Sequence, residues 1–187
     1  MARMRRKPGA TIPNRAWDGR PFRIFSADPG GTTGCATAEW NGLDGEELIS
    51  LDQIKFNRWE MGPHDHHVEL WHTLSLEQYT EIVWESFEFR QHYFKDEDGN
   101  PIAKMKVELI SREYIGILRL FCDSTGTPAH HRTASSAKRF IDDEKIKQVG
   151  LWIPGSTHKM DATRHLLRYM VVVKKIQEPF TDIWLAD

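Results

Sequence analysis

Two absences narrow the reading at once. The 187 residues hold only two cysteines, Cys35 and Cys122, far apart and with no CxxC pair, so a disulfide framework is not expected. No apolar run approaches the ~20 residues that cross a bilayer. The basic opening "MARMRRKPGA" has no apolar stretch behind it, so it does not read as a secretory signal, and the chain reads as cytoplasmic. Internal repeats and low-complexity segments are missing too. Histidines are present as "HDHH" (His64–His67), but without cysteines or a second spaced pair they lack the four ligands of a structural zinc site, so a polar loop leading into a helix is expected.

Net charge is small, −2, yet unevenly spread. Residues 1–23 carry Arg3, Arg5, Arg6, Lys7, Arg15, Arg20 and Arg23 against one acid, Asp18. Residues 1–20 read as a basic, disordered or extended arm, of the kind that replaces counterions on nucleic-acid phosphates. A solvated tail is the plainer alternative. Residues 21–187 have the length and the 40% hydrophobic content of one globular domain.

Periodicity sets out the elements. "PFRIFSAD" (21–28) alternates as a strand, and "GCATAEW" (34–40) and "LISLDQIKF" (48–56) read as the next two, turning at "NGLDG". A helix is expected over 62–78, with Pro63 in its first turn, and a fourth strand over 79–89. Residues 92–105 read as a polar loop. Val107, Ile110, Tyr114, Ile117, Leu118 and Phe121 predict an amphipathic helix over 106–123. A loop with a short strand (126–140), a short helix capped by an aspartate (142–152) and a closing helix (156–176) complete an α/β domain with a mixed sheet. Trp40, Trp71 and Trp84 lie in apolar patterns and are expected in the core.

Three acids stand out. Asp28 ends the first strand beside Gly30 and Gly31. It reads either as a turn aspartate bonding its own loop or as a strand-end acid where open α/β sheets bind ligands. Glu85 comes late in a strand of Ile, Val and Trp, where an acid is rare unless it is paired, binds a cation or faces water at an edge. In "HKMDATRHLL", His158 and Asp161 share a helix face and His165 lies one turn further on. Separately, Asp161 could serve the helix dipole and His158 could be a loop residue. Taken together, the oxygen-rich set suits Mg²⁺ or Mn²⁺.

The ordered set "DPGGTTGCA", "WESF" and "HKMDA" resembles the RuvC-type Holliday junction resolvases over about residues 22–175. The resemblance implies a ribonuclease H-like fold: a mixed sheet of about five strands, the first three antiparallel, flanked by helices. It implies that Asp28, Glu85, His158 and Asp161 hold two divalent ions, Mg²⁺ or Mn²⁺, at the scissile phosphate of branched DNA. Cleavage would leave 5′-phosphate and 3′-hydroxyl ends. "ASSAKRFIDDEKIKQVGLW" resembles the family's segment of DNA-contacting lysines, which implies such contacts for Lys138 with Arg139, and for Lys145 or Lys147. Where well-known members place a base-packing aromatic, three residues after the glutamate, this chain has Glu88, and the flanking Phe87 and Phe89 become the aromatic candidates. Paired nicks on opposed strands call for a twofold homodimer, and the 106–123 helix is the expected interface. The compact size and the arm fit a phage-type member.

Two other functions share some of these features. "DPGGTTG" also resembles the first phosphate loop of actin-like sugar kinases and ATPases, but that fold needs two such domains and has no use for Glu85 with His158 and Asp161. A catalytically inactive DNA-structure binder would have no need of four intact candidate ligands.

Overall fold

The first strand keeps the period of two seen in its sequence. β1 (Phe22–Asp28) sends Phe22, Ile24 and Ser26 to one face of a sheet and Phe25 and Ala27 to the other. The computed structural model describes residues 19–42, 50–62, 66–86, 93–95, 101–103 and 110–181. After β1 come β2 (Thr33–Trp40), β3 (Lys55–Met61), helix α1 (His66–Leu76), β4 (Glu81–Glu85), β5 (Tyr93–Lys95) and β6 (Pro101–Ala103). Then follow α2 (Ile110–Thr125), β7 (Ala129–Arg132), α3 (Ala134–Phe140), α4 (Asp143–Gln148) and α5 (Thr157–Arg168).

Five strands form one mixed sheet in the order β3-β2-β1-β4-β7. The first three are antiparallel neighbours, and β4 and β7 join in parallel. This is the expected fold class. Helices cover both faces. On one side, Phe22, Ile24, Ala36, Ala38, Trp40 and Val83 pack with Ile141, Ile146 and the α5 residues Met160, Leu166 and Leu167. On the other, Phe25, Ala27, Cys35, Met61, Ile82 and Trp84 pack with Leu70 and Leu74 of α1 and Tyr114, Leu118 and Phe121 of α2. Emptying one such buried leucine site to alanine costs about 2–5 kcal/mol.

Several boundaries differ from the sequence expectation. The third strand begins at Lys55, because Leu51–Gln53 forms a 3-10 turn closed by Ser50 and Gln53. The "polar loop" at 92–105 contains the antiparallel pair β5–β6. The stretch after β7 is a helix, α3, from Ala134 to Phe140. α4 is capped as expected: Asp142 Oδ1 accepts the Lys145 amide at 2.9 Å. Trp40 and Trp84 are buried, whereas Trp71 is 39% exposed and meets Phe121 edge-on. The apolar stripe of α2 faces inward, with Tyr114, Ile115, Leu118, Phe121 and Cys122 all buried in the core, while Leu120 on the same helix is exposed.

α5 lies across the sheet and is held very close to it. A Cβ on Gly34 would fall 2.0 Å from the carbonyl oxygen of His158, so only glycine lets β2 and the first turn of α5 meet. Further along, the buried Ser26 hydroxyl donates to the Ala162 carbonyl at 2.9 Å. The N-terminus of α5 is served by β3: Glu60 Oε1 accepts from Ser156 Oγ at 2.5 Å and from the Lys159 amide at 3.4 Å. The Ser156 bond foremost holds the Glu60 carboxyl below its ordinary range. Past Arg168 the helix widens into a π-helical turn, Tyr169–Val173, and Lys175 takes a left-handed conformation at φ 60°.

Candidate active site

Strand parity and register bring the first two acids together. β1 and β4 run parallel with Ala27 opposite Trp84, so Asp28 and Glu85 stand one step further on, at the same ends of adjacent strands. On β4, Ile82 and Trp84 belong to the core under α1 and α2, while Val83 belongs to the α5 side. Glu81 and Glu85 therefore face α5 as well, and their partners agree. Glu81 accepts from the Tyr169 hydroxyl and, at 2.7 Å, from Lys174 Nζ. Glu85 Oε2 lies 3.2 Å from His165 Nε2. Glu81 is thus a separate buried ion pair, and Glu85 is the β4 acid that looks toward Asp28.

α5 supplies the rest. His158 Nδ1 lies 3.1 Å from Asp28 Oδ2, with its ring 44% exposed at the mouth of the site. Asp161 sits in the second turn of the helix, 7% exposed, and its two oxygens have different partners. Oδ1 accepts from the Arg164 guanidinium at 2.6 Å, and Oδ2 from Lys138 Nζ at 2.8 Å. Arg164 also grips Asp143 at the start of α4. Since Glu60 already serves the helix N-terminus, Asp161 is not needed there as a dipole acid. The bland reading of His158 as a loop residue fails likewise, because it lies in the first turn of α5 and pairs with Asp28.

Asp28 feels this crowding. Burial, above all, and the Glu85 carboxylate push its carboxyl up to about 6, with Asp161 adding to the effect and His158 opposing it. The tight loop after it is tied by Thr33, whose Oγ1 lies 3.3 Å from both the amide and the carbonyl of Gly30.

The DNA-contact candidates fall into three groups. Lys138, on α3, reaches the acids through Asp161. Arg139 is its exposed neighbour on α3. Lys145 and Lys147 lie on α4; Lys147 pairs with Glu144 at 2.7 Å and stands 5.2 Å from the Trp152 ring centre. Phe87 and Phe89 lie outside the described residues, as does the arm through residue 18.

The donor chemistry, three carboxylates and an imidazole, fits a hard divalent cation; burial first, and the neighbouring acids after it, raise the Asp28 carboxyl. Among the described residues no three His, Cys, Asp or Glu side chains are grouped closely enough to hold a metal as they stand. The reason is visible in the pairings: each acid has its own partner, His158 for Asp28, His165 for Glu85, and Arg164 with Lys138 for Asp161.

The fold is that of RuvC. Thermus thermophilus RuvC superimposes with a TM-score of 0.55 at 12% identity, over 83% of this chain and 98% of that one. The T. thermophilus RuvC structure in complex with a Holliday junction substrate gives 0.52 at 11% identity, over 83% and 97%. The expected ribonuclease H-like architecture is therefore present. No family model matches the sequence, and no curated protein matches it significantly.

Two residues at the site gained no role from the sequence. His165 is 3% exposed and bonded to Glu85; its place one turn beyond Asp161 was visible, its partner was not. Arg164, three residues after Asp161, had an i,i+3 spacing that could have revealed the pair.

Proposed function

We propose that this protein is a divalent-metal-dependent endonuclease of branched DNA, of the Holliday-junction-resolving kind. The observation that carries the reading is the cluster at the ends of β1 and β4 beneath α5, where the buried Asp28, paired with His158, stands beside Glu85 and near Asp161. The likeness to RuvC supports it through the fold.

In this reading Asp28, Glu85, Asp161 and His158 hold Mg²⁺ or Mn²⁺, two ions per site. The metal supplies Lewis-acid stabilisation of the phosphoryl oxygens and a water acidic enough to attack at neutral pH. Asp28 is the central ligand, buried between the other acids. His158, at the mouth, would offer a ring nitrogen to the cation. Lys138, 52% exposed, neutralises Asp161 in the metal-free protein and is free to swing to a phosphate when a cation takes its place. Arg164 and His165 are positioning residues that fix Asp161 and Glu85. Arg139, Lys145, Lys147 and the basic arm add phosphate contacts, and Phe87 and Phe89 are the candidates for packing on bases. A homodimer would present two such sites to opposed strands.

The test is incubation of the full chain with a four-way DNA junction and Mg²⁺ or Mn²⁺, with the ends mapped on each strand. The account expects paired nicks with 5′-phosphate and 3′-hydroxyl ends that depend on the metal. Intact junctions, with nucleotide binding instead, would favour the kinase-like alternative. Junction binding without cleavage would favour an inactive structure binder.

A further inference from the structure

We propose that Arg132 and Arg168, with the cleft they line between β7 and α5, form a binding site for a phosphodiester of the DNA strand entering the acid cluster. The proposal rests on the nuclease reading. β7 pairs in parallel with β4, Glu85 opposite Arg132. Alternate residues of β7 look to opposite faces: the His131 ring stacks on Trp84 under α2, while the His130 ring meets Tyr169 on the α5 side at 4.6 Å. Arg132 follows His130 by two and shares the α5 side, one strand beyond Glu85.

On α5, His158, Asp161, His165 and Arg168 recur at spacings of three and four, a single stripe. It begins at Asp28, passes Glu85 through His165 and ends at Arg168, about 10 Å along the axis from Asp161. The cleft at that end, about 40 Å³, is small and is lined among others by Val83, His130, Arg132, His165, Arg168 and Tyr169.

The charges there are unbalanced. Arg23 has Glu39 and Glu77, Arg164 has Asp161 and Asp143, and Lys174 has Glu81. Among the described residues, neither Arg132 nor Arg168 has a carboxylate partner; Arg132 donates only to the His131 carbonyl at 3.1 Å. Burial and the nearby Arg132 press the Arg168 guanidinium below its ordinary value. An anion between two like charges removes that penalty, and forked guanidinium donors match phosphate oxygens.

The test uses the full chain carrying Asp28→Asn, so that bound junctions stay intact, with and without R132Q and R168Q together. Anisotropy with labelled junction, repeated over a salt series, should show about tenfold weaker binding. The slope of log K against log salt should flatten by about 1. R132K with R168K, which keeps the charge but not the fork, should restore the slope and only part of the affinity. Equal affinity and slope in parent and double glutamine variant would overturn the site. If the parent binds no DNA, the nuclease reading falls and inorganic phosphate decides the site alone. A phosphate-dependent rise in melting temperature that R132Q and R168Q abolish supports it, and no such rise in the parent overturns it.

Discussion

His158 and Asp28 meet at 3.1 Å although 130 positions separate them. Two glycines make the meeting possible. Gly34 lets the His158 backbone rest on β2, and a Cβ on Gly30 would stand 3.1 Å from the Thr32 carbonyl oxygen and 4.0 Å from His158 Cε1. The packing of α5 thus accounts for Gly34, and the tight loop itself for Gly30, while Gly31 has open space around it.

The His158 pairing separates ligand from loop residue. His158→Asp should keep appreciable Mg²⁺-dependent cleavage, since a carboxylate replaces the lost ligand, and His158→Ala should lose most of it. Junction nicking rates over a metal titration check this. Equal rates for wild type and His158→Ala at every metal concentration would leave a site of three carboxylates.

Asp28 ties stability to pH. Its carboxyl is raised from 3.8 to about 6, so the folded metal-free protein prefers the protonated acid. Its contribution to stability is full below the unfolded value and declines as pH rises through that window. Asp28→Asn removes the ionisation cost and should stabilise the metal-free protein at pH 8 by up to about 3 kcal/mol, with no gain near pH 3. At subsaturating Mg²⁺, nicking should instead fall as pH drops through about 6, because protons then compete with the cation for this carboxylate. Thermal melts at both pH values check the first part; an Asp28→Asn protein less stable than wild type at pH 8 would contradict it.

Gly34→Ala should cost about 1–3 kcal/mol, because the new Cβ meets backbone that can move only by displacing α5. His158 and Asp161 move with that helix, so nicking should fall further than stability accounts for. Chemical denaturation beside a nicking assay below the melting range reads both effects. Alanine at Gly31, which has nothing within 4 Å of a Cβ, is the control expected to fold normally.

Much of this was legible in the chain. Period two in "FRIFSAD" and "EIVWE" fixed which acids share a face, and the i,i+3 spacing of His158 and Asp161 fixed their side of α5. The inward turn of the α2 stripe was not, since an amphipathic face reads the same whether it covers a sheet or a second subunit. Nor were the His165–Glu85 contact, which depends on how α5 lies on β4, or the place of Arg132 beside Glu85, which depends on how β4 and β7 pair across more than 40 residues of intervening chain. The hairpin β5–β6 was hidden by the polar sequence "DEDGN" between its short strands and by Pro101, which argues against a strand except at an edge.

The central claim is that Asp28, Glu85 and Asp161 cut DNA while lysines and arginines hold it. Its most direct test is one four-way junction given to Asp28→Asn, Glu85→Gln and Asp161→Asn, with nicking and binding measured side by side. The account predicts that each variant loses cleavage by at least about a hundredfold in Mg²⁺ while its junction affinity stays within a few-fold of wild type, since affinity comes mainly from cations on phosphates. Near wild-type cutting by any one of the three would contradict its place in the site.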